Sequence, residues 1–399
     1  MRLAMAQINA TVGDLEGNIK KIKEYMNRAK KNKVNLVVFP ELAVTGYPPQ
    51  DLLIENAFIK KNKELLEELI RHNRDIAGVI GFVDCKGKNL YNAAAVFIGN
   101  KLIGIVFKTL LPTYDVFDED RYFKPAMEKE VKPISMNIDC SKFNLGVEIC
   151  EDLWDENYDI RVSDLLVKRG ADIIVNISAS PFYAGKRFER EGLLIEKSRK
   201  NKVPMFYINL VGGQDELVFD GQSLAVDKSG NLIALGKQFE EDLIITDIDL
   251  EKGVAERIKP PLYNRVQEMF NAIVLGIRDY FRKTGFKKAI VGISGGIDSS
   301  LTTCIAVEAL GGENVIGVSM PSKFSSEHSK TDAQTLAENL GIYFVQIPIQ
   351  DIVNSYHETL ECPLEDIRKH FGVRKESDDL VADENIQPRT RGNCLMDIS

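Results

Sequence analysis

The sequence is most restrictive in what it lacks. Its six cysteines (Cys85, Cys140, Cys150, Cys304, Cys362 and Cys394) contain no C-x-x-C pair and no metal-finger spacing, which excludes a zinc-ribbon or disulfide-scaffold framework. Such usage fits a reducing compartment, so the expected location is cytoplasmic. No run of about 18 apolar residues occurs, so no membrane span is expected. The segment Met1 to Gln7 has too short an apolar stretch for a secretory signal and reads on as a strand. No long basic run occurs and the formal net charge is −8, which argues against a general nucleic-acid binder. Internal repeats and low-complexity segments are also missing.

What is present is a chain of 399 residues, long enough for two or three domains. Strand and helix patterns alternate through the first part. Arg2 to Asn9 reads as a strand, and Asn18 to Lys33 carries helical apolar spacing at Ile19, Ile22, Tyr25, Met26 and Ala29. Apolar runs follow at 35–40, 78–83, 144–150, 172–177, 204–210 and 223–227, and 91–107 reads as a hairpin turning at Gly99-Asn100. This alternation argues for a layered α/β fold. Lys259-Pro260-Pro261 punctuates the chain as a linker. A helix over 266–284, strands over 315–320 and 343–349, and a helix over 329–340 then give a βαβαβ nucleotide-domain pattern.

Two sets of residues carry chemistry. The segment Ser294-Gly295-Gly296-Ile297-Asp298-Ser299-Ser300 lies between an apolar run ending at Gly292-Ile293 and an apolar helical pattern. The glycines admit close backbone approach, and successive N–H groups at a helix start favour an anion. The loop lacks the Gly-Lys-Ser/Thr of a Walker A motif and the spacing of a dinucleotide fingerprint, so it reads as a pyrophosphate cradle of another kind. In the first half, three apolar strands each end in a reactive side chain: Glu41, Lys108 and Cys150. A thiol nucleophile needs a base for its proton and a positive group for the developing oxyanion, and these residue types supply all three parts. The neighbours Glu151 and Asp152 are expected to raise the thiol pKa, and the Lys108 ammonium to offset them.

The segments FPELAVTGYPPQDLL, KTLLPTYDVFDEDRYF and GVEICEDLW, in that order, resemble the nitrilase superfamily. The resemblance implies a four-layer αββα sandwich over residues 1–250, with Glu41 as general base, Lys108 as oxyanion stabiliser and Cys150 as nucleophile. It also implies a second glutamate, Glu119, beside them. VGISGGIDSS resembles the PP-loop of N-type ATP pyrophosphatases. With VSMPSKFSSEHSKTDAQTLAENLG and ENIQPRTRG it is similar to NAD synthetases. The whole chain resembles the glutamine-dependent members of that family, with a linker at 251–263 and a partial parallel-sheet α/β ATP-pyrophosphatase domain at 264–399.

That resemblance implies the substrates L-glutamine, ATP and deamido-NAD, with Mg²⁺, and a homo-oligomer that engages neither nucleic acid nor membrane. Ammonia released from glutamine in the first domain passes internally to the second. There ATP adenylates the nicotinate carboxylate, and ammonia displaces AMP. Tyr114, Ser180 and Lys186 are implied to bind glutamine, with Trp154 in the same pocket. Gly292, Ser294, Gly295, Gly296, Asp298, Ser299, Ser300 and Met320 are implied to bind ATP, Asp298 on the metal side. Asn385, Arg389 and Arg391 match the deamido-NAD stretch, where guanidinium groups suit phosphate.

Two departures stand out. Pro388 takes the place of the family's usual alanine and removes a backbone donor. The chain stops at Ser399, where relatives continue with T-G-N-K-S-E-like and G-D-M-like segments. The resulting expectation is a shortened second domain with an exposed sheet edge, a complete glutaminase set and an incomplete synthetase site. The alternatives are a nitrilase-type amidase for another small amide with a vestigial ATP segment, or an ATP-binding regulatory module on an inert scaffold. A PP-loop amidotransferase with a Cys-His-Glu glutaminase fits less well, because His72, His328, His357 and His370 all lie outside the Glu41, Lys108 and Cys150 segments.

Overall fold

The computed structural model describes residues 1–138, 141–372 and 379–399, so Cys140 lies outside the described residues. Contacts divide the chain into two compact units, Met1–Asp279 and Tyr280–Ser399.

The first unit runs through β1 (Arg2–Gln7), β2 (Leu36–Val38), β3 (Ala77–Lys86), β4 (Asn89–Ile98), β5 (Lys101–Phe107), β6 (Ile134–Ile138) and β7 (Ser141–Ile149). It continues with β8 (Ile173–Ser178), β9 (Met205–Asn209), β10 (Val211–Gln214), β11 (Leu217–Asp220), β12 (Leu224–Val226), β13 (Leu232–Leu235) and β14 (Asp242–Asp247). Its helices are α1 (Leu15–Lys31), α2 (Asn56–His72), α3 (Val162–Lys168), α4 (Lys186–Asn201) and the start of α5 (Arg265–Thr284).

Two six-stranded sheets form, in the orders β14-β1-β2-β3-β4-β5 and β13-β12-β9-β8-β7-β6, with β10–β11 as a separate hairpin. Strand alternation decides the layers. Leu3 and Met5 of β1 join Val147, Ile149, Val175 and Ile177 in a core between the sheets. Ala4 and Ala6 instead meet Ile22, Met26 and Leu66 from α1 and α2. On the opposite side, Leu166 and Leu194 of α3 and α4 cover Ile174 and Met205. The result is a four-layer αββα sandwich. The α1 helix starts where the Asp14 side chain accepts the Gly17 N–H, and the buried positions Ile22, Tyr25, Met26 and Ala29 form its sheet-facing stripe.

The second unit holds β15 (Ala289–Gly292), β16 (Val315–Ser319) and β17 (Tyr343–Gln346), paired in parallel in that order. The helices α6 (Ile297–Leu310) and α7 (Glu327–Leu340) cover one face through Ala306, Ala333 and Ala337. The helices α8 (Gln350–Phe371) and α9 (Asp379–Ile398) cover the other through Val353, Ile386 and Leu395, and α9 runs on through Pro388. This is a parallel-sheet α/β domain with helices on both faces.

Where contacts divide the chain differs from the linker expected at 251–263. The break falls inside α5, because Ala272 and Leu275 pack with Val211 and Phe239 of the first unit.

Candidate active site

Three strand ends converge in the first unit. Beyond β2 the chain keeps contact with β3, where the Phe39 N–H donates to the Val79 carbonyl at 2.8 Å, and then turns at Glu41. Gly81 permits that turn: a Cβ there would lie 2.4 Å from the Pro40 carbonyl oxygen and 2.5 Å from the Leu42 nitrogen. Lys108 directly follows β5, with its N–H on the Asn92 carbonyl at 2.9 Å. Cys150 directly follows β7 and opens a 3-10 turn, Cys150–Leu153. Its φ of +45° lies in the left-handed region that a non-glycine residue adopts only when its surroundings hold it there.

The Lys108 Nζ donates to Glu41 Oε1 and to Glu119 Oε1, each at 2.7 Å, with all three side chains buried. Asn92 Nδ2 also donates to Glu41 Oε1 at 2.7 Å, and the Ala179 N–H donates to Glu41 Oε2 at 2.8 Å. Both oxygens of Glu41 are thereby oriented. The Tyr47 hydroxyl donates to Glu119 Oε1 at 3.0 Å.

Electrostatics follow from this packing. Burial works against the Lys108 charge, but the Glu119 and Glu41 carboxylates outweigh it and hold its pKa well above that of a free lysine. Burial pushes Glu119 up to about 7, with Lys108 opposing and Glu41 adding to the rise. The Cys150 thiol is raised well above its ordinary value, first by burial and then by Glu41, against the pull of Lys108. The expected effect of Glu151 is present but ranks behind Glu41. A thiol so disfavoured as an anion rests protonated and needs a base within the site.

A cavity of about 260 Å³ opens on Cys150 and is lined by Tyr114, Glu151, Trp154, Ser180 and Lys186 among others. The structure therefore brings together all four residues that the sequence suggested for this pocket. The Lys186 Nζ sits 3.9 Å from the Trp154 ring centroid. The Tyr114 hydroxyl lies 3.0 Å from both carboxylate oxygens of Glu151, which also accepts from Tyr158 at 2.9 Å. The fully buried Arg190 guanidinium donates to the Ser180 carbonyl at 2.8 Å and to its Oγ at 3.1 Å, and pairs with Asp220 at 2.7 Å. A pocket lined by the Lys186 ammonium, the Glu151 and Asp115 carboxylates and the Cys150 thiol suits a zwitterionic amino acid bearing an electrophilic side chain.

Asn92, Tyr47, Arg190, Asp220 and the binding geometry of Glu151 escaped the sequence reading. The first four act across long separations, such as 51 residues for Asn92 to Glu41, which no local pattern displays. Glu151 did give a signal, a carboxylate beside the thiol, but read as a charge only.

In the second unit the β15–α6 loop forms a compact turn. The Ser294 N–H donates to Ser299 Oγ at 3.2 Å, and the hydroxyls of Ser299 and Ser300 donate to the Gly296 carbonyl at 3.0 and 2.9 Å. Gly295 has φ +81°, and a Cβ there would lie 2.3 Å from the Ser329 carbonyl oxygen, so only glycine fits against α7. A cavity of about 480 Å³ beside the loop is lined by Gly292, Ser294, Met320, Lys330, Pro388 and Arg391 among others. Arg391 Nε donates to the Met320 carbonyl at 3.0 Å.

The other two residues of the suggested deamido-NAD set stand elsewhere. Asn385 and Arg389 are exposed on α9, with Arg389 bonded to Asn385 one turn earlier at 2.9 Å. Asp298 is an exposed carboxylate in the first turn of α6. No group of three or more His, Cys, Asp or Glu side chains able to hold a metal occurs among the described residues.

Comparison with known proteins agrees with both halves. The model of the carbon-nitrogen hydrolase family matches residues 2–257, and that of the NAD synthase family matches residues 269–399. The chain thus combines a domain of the carbon-nitrogen hydrolase family with a parallel-sheet domain of the NAD synthase family.

The glutamine-dependent NAD(+) synthetase of Thermotoga maritima is 42% identical over 100% of this chain and 72% of its own length. That of Synechocystis is 40% identical, over 100% of this chain and 71% of its own. The solved structure of the Acinetobacter baumannii enzyme in complex with adenosine diphosphate superposes with a TM-score of 0.90 at 34% identity, covering 100% of this chain and 72% of that one. An amidase from Nesterenkonia, at 23% identity and TM-score 0.54, covers 63% of this chain and 91% of its own, and shares the fold of the first unit. The chain belongs to the glutamine-dependent NAD(+) synthetases, ATP-dependent ligases that combine a glutaminase with a synthetase.

Proposed function

We propose that residues 1–250 hydrolyse L-glutamine through Cys150, and that 264–399, beyond a linker at 251–263, contribute to the site that uses the ammonia to amidate deamido-NAD. The observation that carries this reading is the buried Glu41–Lys108–Glu119 cluster beside a pocket that ends on Cys150.

Lys186 receives the α-carboxylate of glutamine, and Glu151, oriented by Tyr114, its α-ammonium, with Ser180 and Trp154 completing the wall. Glu41 takes the proton from Cys150 as the sulfur attacks the side-chain carbonyl carbon, and the Lys108 ammonium stabilises the oxyanion. Glu41 then returns that proton to the leaving nitrogen, giving ammonia and a thioester. Water activated by Glu41 attacks the thioester, and glutamate leaves as the thiol is restored.

In the second unit Ser294, Gly295, Gly296, Ser299 and Ser300 hold the ATP phosphates, with Gly292 and Met320 on the adenosine side. A single exposed carboxylate suits Mg²⁺, which prefers one or two protein oxygens together with phosphate oxygens, so Asp298 would hold the ion, and the ion would neutralise charge at the triphosphate. The nicotinate carboxylate of deamido-NAD displaces pyrophosphate from ATP, and ammonia then displaces AMP. Arg391 contributes to this site from the cavity wall, and Asn385 and Arg389 bind deamido-NAD from α9.

The enzyme acts in the cytoplasm as a homo-oligomer. No helix among the described residues is long and apolar enough to cross a membrane. The test is glutamate release from L-glutamine. The wild-type chain releases it, Cys150→Ala does not while keeping its circular dichroism, and equal release by both removes Cys150 from the reaction.

A further inference from the structure

Asp152 lies two residues beyond Cys150 and is 1% exposed. Its carboxylate receives three backbone N–H groups: Oδ1 from Thr109 at 3.0 Å and from Leu110 at 2.8 Å, and Oδ2 from Ile149 at 3.0 Å. Thr109 and Leu110 directly follow Lys108, and Ile149 directly precedes Cys150. One side chain therefore joins the chain just past the lysine to the chain just before the thiol.

The elements it joins belong to different sheets, since β5 ends the first and β7 lies in the second. Neither Thr109 nor Leu110 donates its N–H to a backbone carbonyl among the described residues, so Asp152 is what satisfies both. These three N–H groups favour the ionised form of the carboxyl against the burial that disfavours it. Cys150 also holds a left-handed backbone conformation, which persists only where neighbouring contacts over-determine it.

We propose that Asp152 is a positioning residue for glutamine hydrolysis: its carboxylate ties the Lys108 strand end to the Cys150 turn and so sets the ammonium against the thiol. This rests on the roles proposed for Lys108 and Cys150. The pocket residues Lys186, Ser180 and Tyr114 have no part in the tie, so it governs the chemical step rather than substrate binding.

The test is Asp152→Asn, which keeps the shape and the Oδ1 acceptor but turns an NH₂ toward the Ile149 N–H. The expected result is a fall in glutaminase kcat of about 100-fold, the cost of a displaced catalytic group. KM for glutamine stays within about twofold, since ground-state contacts are untouched. Alkylation of Cys150 by iodoacetamide slows in parallel. A variant with wild-type kcat and alkylation rate, even one that melts earlier, overturns the proposal, and so does one whose only change is a higher KM. Wild-type enzyme that releases no glutamate overturns the functional reading instead. If Asp152→Asn does not fold, hydrogen exchange in the wild type decides: amides of Thr109, Leu110 and Ile149 as slow as those of the central strands uphold the tie, and loop-like rates refute it.

Discussion

Lys108 holds two buried carboxylates at once, and this sharing decides what each residue of the site can do. Its replacement by methionine leaves Glu41 and Glu119 facing each other without a counter-charge and removes the proposed oxyanion partner. Glutaminase kcat in Lys108→Met is expected to fall at least 10²–10³-fold, the usual effect of losing one such donor. Near-normal turnover in a steady-state assay would contradict that role. Tyr114 offers a contrasting case, because among the described residues its hydroxyl hydrogen-bonds Glu151 in the pocket wall. Tyr114→Phe therefore raises KM for glutamine by about tenfold and leaves kcat nearly unchanged, the pattern of a ground-state contact. A kcat loss without a KM change would place Tyr114 in the chemical step. The sequence showed Glu41, Lys108 and Cys150 because each ends an apolar strand, and the structure places Lys108 against Glu41. It could not show that Arg190 and Asp220 support Ser180 from behind, since neither stands in a pattern that separates it from a surface charge.

At the scale of elements, the Arg190–Asp220 pair anchors α4 to β11 with both side chains fully buried. Asp220→Asn leaves a buried guanidinium without its counter-ion, and the expected cost is about 3–5 kcal/mol. Arg190→Met combined with Asp220→Leu costs less than the two single changes added together, because no charge is left stranded. Urea unfolding followed by the fluorescence of Trp154, the single tryptophan, measures both. Strict additivity would show that the pair does not act as a unit. Most strands were legible, among them the hairpin turning at Gly99-Asn100 that became β4 and β5. The strands β6, β13 and β14 and the β10–β11 hairpin were not anticipated. They are short, and β14 gains its place only by pairing antiparallel with β1 from the far end of the unit. The glycine pair in β10 weakens any strand signal there, although Gly213 fits closely against Gly276 of α5.

The first unit as a whole contains several carboxyl groups buried beyond their ordinary tolerance. Burial pushes Glu148 up to about 8, against Lys197 and the Ser163 hydroxyl, and pushes Asp152 up to about 7, against three backbone N–H groups. A carboxyl with a raised folded pKa binds more protons in the native state than in the unfolded chain, whose value for glutamate is 4.5. Its contribution therefore turns unfavourable as pH rises from about 4.5 to about 8, by up to about 1.4 kcal/mol per pH unit and group. Glu148→Gln imitates the protonated form. It is expected to match the wild type near pH 4 and to exceed it increasingly in urea midpoint as pH rises toward about 8, and identical pH slopes for the two proteins would contradict the assignment.

The layer order of this unit was legible because strand alternation and helix stripes both mark it, whereas the contact boundary inside α5 depends on packing that the linker composition does not announce. The central claim is that this unit cleaves glutamine through a thioester on Cys150, and the most direct measurement is mass spectrometry of enzyme quenched during turnover. The account predicts one γ-glutamyl group per chain, mapped to the peptide containing Cys150 and absent from Cys150→Ala. Turnover with no acyl group on Cys150, or with the group on another residue, would contradict it.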